Sequence, residues 1–189
     1  MDMILELNEV VIEGEEHTFS FLARSGRLTG LTGGTYEQRR RWLLTMMGFV
    51  PVRQGYVSID GEPLTIQTSS AFRQLIAYAP DQLPTEGTAP AYKPPSVQDV
   101  FNLRANRHIA ISNGILGEEM RRIASGLDTD DVRLLAVAAL LDRPILLVSH
   151  PQACATDYLR QQAGREKIVV VATDSEQVLS ACDTIVELN

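Results

Sequence analysis

The distribution of apolar residues along the chain predicts strands of two kinds. Residues 4–12 and 17–22 alternate apolar and polar side chains, a period of two that is typical of half-buried antiparallel strands. Later segments are instead short and mostly apolar, as strands are when both faces of their sheet are covered. These buried segments are residues 27–31, 76–80, 144–148, 168–171 and 184–188. Residues 55–61 are predicted to form another strand, closed by an Asp-Gly turn.

Helical segments alternate with the buried strands. Helical spacing of apolar residues predicts a helix over residues 35–47, which Gly48 ends. Further helices are predicted within 97–123 (one or two, forming a small insert) and over 131–141, 156–163 and 178–181. The residues between 83 and 95 are rich in proline, glycine and threonine and predict a linker. Together the pattern predicts an α/β fold, in which an antiparallel β segment precedes a parallel sheet covered on both faces.

The length and net charge of the chain restrict the classes of function that we expect. With 189 residues, the chain is long enough to bury one good core, and we predict a single domain over 1–189. The net charge of −7 disfavours nucleic-acid binding, which normally uses a basic surface. We find neither a signal peptide nor an apolar run long enough to span a bilayer, and therefore expect a cytoplasmic protein without direct membrane insertion. Cys154 and Cys182 lack metal-site spacing and are predicted to be packing residues.

The turn after residues 27–31 stands where a nucleotide-binding protein would carry its phosphate loop. That loop follows the pattern G-x-x-x-x-G-K-[ST], in which the lysine reaches the β- and γ-phosphates and the hydroxyl binds Mg²⁺. Here Gly33 and Gly34 open the turn. Counting from Gly33, Gln38 stands at the second glycine, Arg39 at the lysine and Arg40 at the hydroxyl. The pattern therefore lacks the groups that would hold phosphate and metal.

The replacement residues form a pattern of their own. Thr35 and Gln38 match a capping box, in which each side chain bonds the other residue's backbone N–H group. Glu37 adds a negative charge to the first turn of the helix, where the helix dipole favours one. This arrangement predicts no anion at the helix N-terminus. The alternative is a residual anion site built on residues 39–41.

The order of these elements, with several short pieces, resembles the ATP-binding domain of ABC transporters. The matching pieces are residues 26–28, Gly48 with 55–61, 76–80, 135–144, 145–151, 169–174 and 181–185. The resemblance covers nearly the whole chain. It implies a P-loop NTPase-like fold with a mostly parallel sheet covered by helices, an N-terminal antiparallel β segment, and a reduced helical insert within 83–123.

Positions that carry function in that family hold other residues here. At the end of the Walker B strand, Ser149 and His150 replace the Asp-Glu pair of the metal site and the catalytic base. The glutamine of the Q-loop is replaced by Asp81, although Gln82 follows. Thr173 replaces the histidine of the H-loop. The resemblance therefore implies an ATPase architecture without its catalytic groups.

Two more of the family's features are also missing. The signature motif L-S-G-G-Q falls on residues 126–130, where Asp128 and Asp130 would repel a partner's γ-phosphate. The aromatic residue that stacks on adenine should fall near Ile12 or Glu13, and neither side chain can stack.

Other polar residues of interest have simpler interpretations. His150 could replace the catalytic base, but a strand-end histidine bonded to backbone is the preferred interpretation. A hydrolase dyad with Ser149 is disfavoured because adjacent strand residues point to opposite faces. Among the acidic residues, Asp128, Asp130 and Asp131 are interpreted as solvated helix-capping groups, while Asp81 and Asp174 have no predicted partner.

The first helix is predicted to have a polar and an apolar face. Residues 39–41 are interpreted as a solvated face, and Trp42, Met46 and Met47 as core.

Three functions remain open. The first is a pseudo-ATPase, that is, a catalytically inactive binding, scaffold or regulatory subunit. For this function we expect no cofactor. Its protein partner would be itself, a paralogous ATPase domain or a membrane permease, which would hold it on the inner face of the membrane. The second is a divergent subunit that still binds Mg-ATP, with Arg39 for lysine and His150 as base. The third is a small-ligand site or enzyme near Gly33, Asp81, Ser149 and Thr173. The residual nucleotide site would comprise Gly33, Gly34, Arg39, Arg40, Asp81 and Gln82.

Overall fold

The computed structural model describes residues 2–79 and 143–188, which form two β-sheets and four α-helices. The strands are β1 (Ile4–Ile12), β2 (Phe19–Arg24), β3 (Arg27–Gly33), β4 (Val52–Ile59), β5 (Glu62–Pro63), β6 (Ile76–Ala79), β7 (Ile145–Ser149), β8 (Ile168–Ala172) and β9 (Thr184–Leu188). The helices are α1 (Tyr36–Met46), α2 (Ser69–Leu75), α3 (Thr156–Gly164) and α4 (Glu176–Leu179). A short 3₁₀ turn, Ala153–Ala155, precedes α3.

The antiparallel sheet has the strand order β2-β1-β4-β5. In β2 the side chains alternate strictly between buried and exposed, so that Phe19, Phe21 and Ala23 face the core. The predicted antiparallel segment at the N-terminus is therefore confirmed. Alternation arises because successive side chains of a strand point to opposite faces, and within residues 2–79 and 143–188 only one face of this sheet is covered.

The parallel sheet has the strand order β6-β7-β8-β3-β9. All residues of β7 and β8 are buried, but alternate residues enter different cores. Leu147 and Val170 pack in the core that contains Trp42, Leu43 and Met46 of α1. Leu146 and Val169 pack in the other core, with Tyr158 and Leu159 of α3. This confirms the predicted parallel sheet covered on both faces, and it confirms Trp42, Met46 and Met47 as core residues.

Several boundaries differ from the sequence-based expectations. Strand β4 begins at Val52, before the predicted residue 55, and α4 occupies Glu176–Leu179 rather than 178–181. The short elements β5 and α2 have no counterpart in the prediction, because two residues and a polar seven-residue segment show no clear period. The linker, the insert and the helix predicted over 83–95, 97–123 and 131–141 lie outside the described residues.

The carboxyl ends of β3, β7 and β8 lie at the same edge of the parallel sheet, as parallel strands require. Backbone hydrogen bonds continue past the strand ends: His150 N donates to the Ala172 carbonyl at 2.7 Å, and Thr173 N to the Leu31 carbonyl at 2.9 Å. Polar residues that follow these strands are thereby brought together. No helix among the described residues has the length and apolar character needed to cross a bilayer.

The two cysteines occupy different environments. Cys154 is exposed, so the expectation that it is a packing residue is wrong. Cys182 is partly buried and packs against the core of α3, as expected. Its burial, together with the negative charge of Asp183, raises the pKa of the Cys182 thiol to about 11.

We predict that iodoacetamide at about pH 8 alkylates Cys154 and leaves Cys182 largely unmodified, because only the thiolate reacts. Labelling of Cys182 should increase as the pH rises towards the raised pKa. Peptide mass spectrometry after timed labelling measures both sites in the same sample. Equal rates at the two cysteines would contradict the raised pKa of Cys182.

We also predict that Leu147→Ala lowers the free energy of unfolding by about 2–5 kcal/mol, because it empties a fully buried position of the interior strand β7. Ile66→Ala is the matched control, since the Ile66 side chain is 94% exposed and its loss should be nearly neutral. Urea unfolding of both variants supplies the measurement. A small loss for Leu147→Ala would contradict the burial of β7.

Candidate functional site

The candidate site is the turn between β3 and α1, together with the residues that follow β7 and β8. Gly33 ends β3, and Tyr36 begins α1. Ser149 ends β7, while Thr173 and Asp174 follow β8. Gly33 belongs to the residual nucleotide site of the sequence analysis, and Gly33, Ser149 and Thr173 belong to its small-ligand alternative.

The predicted capping box is present at the start of α1. Thr35 Oγ1 accepts a hydrogen bond from Gln38 N at 3.2 Å, and Gln38 Oε1 accepts one from Thr35 N at 2.8 Å. The Gln38 amide nitrogen also donates to both carboxylate oxygens of Glu15, at 3.2 and 3.3 Å. Gln38 is therefore held at both ends of its amide, and Glu15 places a negative charge beside the helix N-terminus.

Close packing against β9 accounts for the glycine that opens the turn. Gly33 has a φ of +73°, which side chains rarely adopt. A Cβ atom at Gly33 would lie 2.5 Å from the Leu188 carbonyl oxygen and 2.8 Å from Glu187 Cγ. No residue larger than glycine can occupy this position without moving the backbone of β9.

The Arg39 side chain folds back into the turn. It is only 3% exposed. Its Nη1 atom donates to the carbonyl oxygens of Gly33 and Gly34, at 3.0 and 3.1 Å. Its Nη2 atom forms an ion pair with Asp174 Oδ2 at 2.8 Å, and its Nε atom donates to His150 Nε2 at 3.3 Å. The interpretation of residues 39–41 as a solvated face is therefore wrong for Arg39, whose donors find acceptors in the turn.

The other two arginines of this run have different partners. Arg40 is exposed and pairs with Glu37 one turn earlier, with 3.5 Å between Nη1 and Oε2. Arg41 donates from Nη2 to the Glu13 carbonyl oxygen. Neither therefore joins Arg39 in the turn.

Asp174 has a partner that the sequence does not reveal. Its side chain is 75% exposed, in agreement with a surface position, but one oxygen bonds Arg39. The expectation that Asp174 has no partner is therefore wrong. Thr173 is buried, and its hydroxyl accepts a hydrogen bond from Ser175 N at 3.1 Å, which shapes the turn after β8.

His150 joins the site through its ring. Its φ of +47° turns the chain directly after β7, so the His150 and Ser149 side chains meet instead of pointing to opposite faces. His150 Nδ1 lies 2.9 Å from Ser149 Oγ, and the ring stacks on Tyr36 with 4.1 Å between centroids. The expectation that these two side chains point to opposite faces is thereby corrected. The expected backbone bond of His150 is present, from its N–H group to the Ala172 carbonyl, and its ring bonds side chains in addition.

The hydrogen bonds determine which ring nitrogen of His150 carries the proton. The Nε–H group of arginine can only donate, so His150 Nε2 accepts and is unprotonated. In the neutral ring the proton is then on Nδ1, which donates to Ser149 Oγ. A histidine in this state cannot remove the proton of Ser149, so the contact lacks the polarity of a serine-hydrolase dyad.

Some candidate residues lie outside the described part of the chain. These are Asp81, Gln82, Asp128, Asp130 and Asp131, with the rest of residues 126–130. Of the two positions considered for adenine stacking, Ile12 is fully buried in the core and Glu13 is exposed. Within residues 2–79 and 143–188, no group of three or more His, Cys, Asp or Glu side chains is arranged to hold a metal ion.

Known proteins similar to this chain are ATP-binding subunits of ABC transporters, although no protein-family model matches it. Over 67 residues the chain is 31% identical to the ribose/galactose/methyl galactoside import ATP-binding protein 2 of Agrobacterium fabrum. This match covers 35% of the chain and only 13% of that relative.

Solved structures extend the similarity to the whole fold. A structure of an ATP-binding subunit of an ABC transporter matches 98% of this chain and 86% of its own, with a TM-score of 0.72 and 15% identity. The structure of cbiO1 from Clostridium perfringens, part of the ABC transporter complex cbiONQ, matches 99% of this chain and 85% of its own, with a TM-score of 0.71 and 14% identity. The predicted P-loop NTPase-like fold is confirmed, and the similar proteins belong to the group that the sequence resembles.

We predict that Thr35→Ala lowers the free energy of unfolding by about 0.5–2 kcal/mol, because it removes the hydroxyl that caps α1. Thr35→Ser keeps that hydroxyl and should lose little. Thermal unfolding with a circular dichroism signal compares the two variants. Equal losses would contradict a role for the capping bond.

Proposed function

We propose that this protein is a pseudo-ATPase: a subunit with the fold of an ABC-transporter ATP-binding domain that acts by binding other proteins and does not hydrolyse ATP. The observation that carries the proposal is the position of the Arg39 guanidinium. It is buried in the turn where a nucleotide's phosphates would lie in a competent loop, and the carbonyl oxygens of Gly33 and Gly34 are bonded to it.

The polarity of the turn supports this proposal. A phosphate-binding loop directs backbone N–H groups at the anion. Here two carbonyl oxygens are directed at a cation, and the N–H group of Gln38 donates to the Thr35 hydroxyl. These residues do not fit a nucleotide phosphate, because the ligand would meet acceptors where it needs donors.

The charged side chains around the turn also disfavour a bound nucleotide. The positive charge of Arg39 is paired with Asp174, and that of Arg40 lies near Glu37. Glu15 adds a carboxylate next to the capping box. A polyphosphate entering here would approach fixed negative charges, which is unfavourable even at the high effective dielectric of a protein surface.

The residues at the end of β7 do not fit a magnesium ion. Mg²⁺ in nucleotide sites is usually held through carboxylates and phosphate oxygens. Ser149 and His150 provide a hydroxyl and an imidazole, and both contact each other. We therefore assign no catalytic step to this site.

The partner that we propose is another protein. The similar proteins are named as import ATP-binding proteins and as part of a transporter complex. By analogy, this chain would bind a second copy of itself, a paralogous ATPase domain or a membrane permease subunit. Such an arrangement would place it in the cytoplasm, peripheral to the membrane through the permease.

We predict that isothermal calorimetry detects no binding of ATP up to millimolar concentration, with or without Mg²⁺. The reason is that the Gly33 and Gly34 carbonyls bond Arg39, while the Thr35 and Gln38 N–H groups bond each other's side chains, so these groups are not available to a phosphate. A phosphate-release assay should likewise give no turnover above the rate without protein.

A matched variant provides the control. Gln38→Gly, Arg39→Lys and Arg40→Thr together rebuild the pattern G-x-x-x-x-G-K-[ST] from Gly33. This variant tests whether the loop residues themselves prevent binding, and we expect it to bind ATP more tightly than the natural sequence. Mg²⁺-dependent micromolar binding by the natural sequence would overturn the proposal and make Arg39→Ala and His150→Ala the next tests of hydrolysis.

A further inference from the structure

We propose that the turn at Gly33 and Gly34 is a binding site for a guanidinium group, and that Arg39 is its built-in ligand. This inference builds on the proposed function, because both concern the same turn. The proposed function says what the turn does not bind, and this inference says what it does bind. The site selects a planar cation, and the bound group links the ends of three strands.

Four of the five N–H donors of the guanidinium have acceptors in the site. Arginine carries five N–H groups in a plane. Four of them make the hydrogen bonds of Arg39: two from Nη1 to the carbonyls of Gly33 and Gly34, one from Nη2 to Asp174, and one from Nε to His150. A lysine ammonium has three donors in a tetrahedral arrangement and cannot reproduce this planar set.

The burial of the Arg39 guanidinium makes these hydrogen bonds energetically necessary. A charged group that is 97% removed from solvent is strongly destabilising unless it is paired and hydrogen-bonded. The Asp174 carboxylate supplies the opposite charge while remaining 75% exposed. Only the cation is therefore desolvated, and the carbonyl oxygens of the turn replace much of its hydration.

The acceptors come from separate elements. Gly33 ends β3 and Gly34 follows it, His150 follows β7, and Asp174 comes after β8, while Arg39 itself belongs to α1. The guanidinium thus connects three strand ends to one helix. Removing it would leave the two carbonyls, the imidazole and the carboxylate facing a space of guanidinium size.

This geometry leads to a chemical-rescue experiment with guanidinium chloride as the probe. Arg39→Ala should lower Tm, and low millimolar guanidinium should restore at least half of that loss in a saturable manner. The natural sequence and Arg40→Ala should show no such increase, because Arg40 is an exposed neighbour that pairs with Glu37 and does not enter the turn. Sodium, ammonium and phosphate salts and urea, at equal concentration, should not rescue Arg39→Ala.

Three results of this experiment would overturn the inference. One is an Arg39→Ala variant as stable as the natural protein, and another is a destabilised Arg39→Ala variant that guanidinium does not rescue. The third is an equal response to guanidinium in Arg39→Ala and Arg40→Ala. Binding of Mg-ATP by the natural protein would instead overturn the proposed function, so the two failures are distinguishable.

If Arg39→Ala does not fold, the inference is tested on the natural protein by NMR. Selective observation of arginine side chains should show Arg39 with a protected Nε–H proton and separate signals for its Nη protons, because its hydrogen bonds prevent rotation of the group. Arg39→Lys identifies the signal by its disappearance. A single averaged Nη signal for Arg39 would overturn the inference.

Discussion

A buried positive charge holds the candidate site together. The Arg39 guanidinium lies among strand ends whose backbone carbonyls, imidazole and carboxylate all accept its hydrogen bonds. The carbonyls of the turn, the His150 ring and the Asp174 carboxylate all contact this one group. Because the charge is desolvated, the arrangement tolerates little change in any of its acceptors.

The fold supplies the framework that makes this contact possible. Strands β3, β7 and β8 run parallel in one sheet, so their carboxyl ends meet at one edge. Helix α1 begins immediately after the turn and, one turn along, directs Arg39 back towards that edge. An architecture that brings a nucleotide to this place in other proteins here brings a side chain of the chain itself.

Local features of the fold and site can be predicted from the sequence, whereas distant contacts cannot. The capping box of Thr35 and Gln38 depends on residues three apart, and the buried strands are visible as apolar runs. The ion pair of Arg39 with Asp174 joins residues 135 positions apart. No periodicity reports such a pair. The contact between Ser149 and His150 depends on one left-handed backbone angle, which the rule of alternating strand faces cannot anticipate.

The packing of Gly33 against Leu188 has a consequence for how glycine-rich motifs are interpreted. The end of β9 leaves room for a glycine alone, independently of any ligand. Selection for folding alone would therefore retain such a glycine, even in a chain that binds no phosphate. A glycine at this position is thus weaker evidence of nucleotide binding than the lysine of the same motif, because strand packing alone can require it.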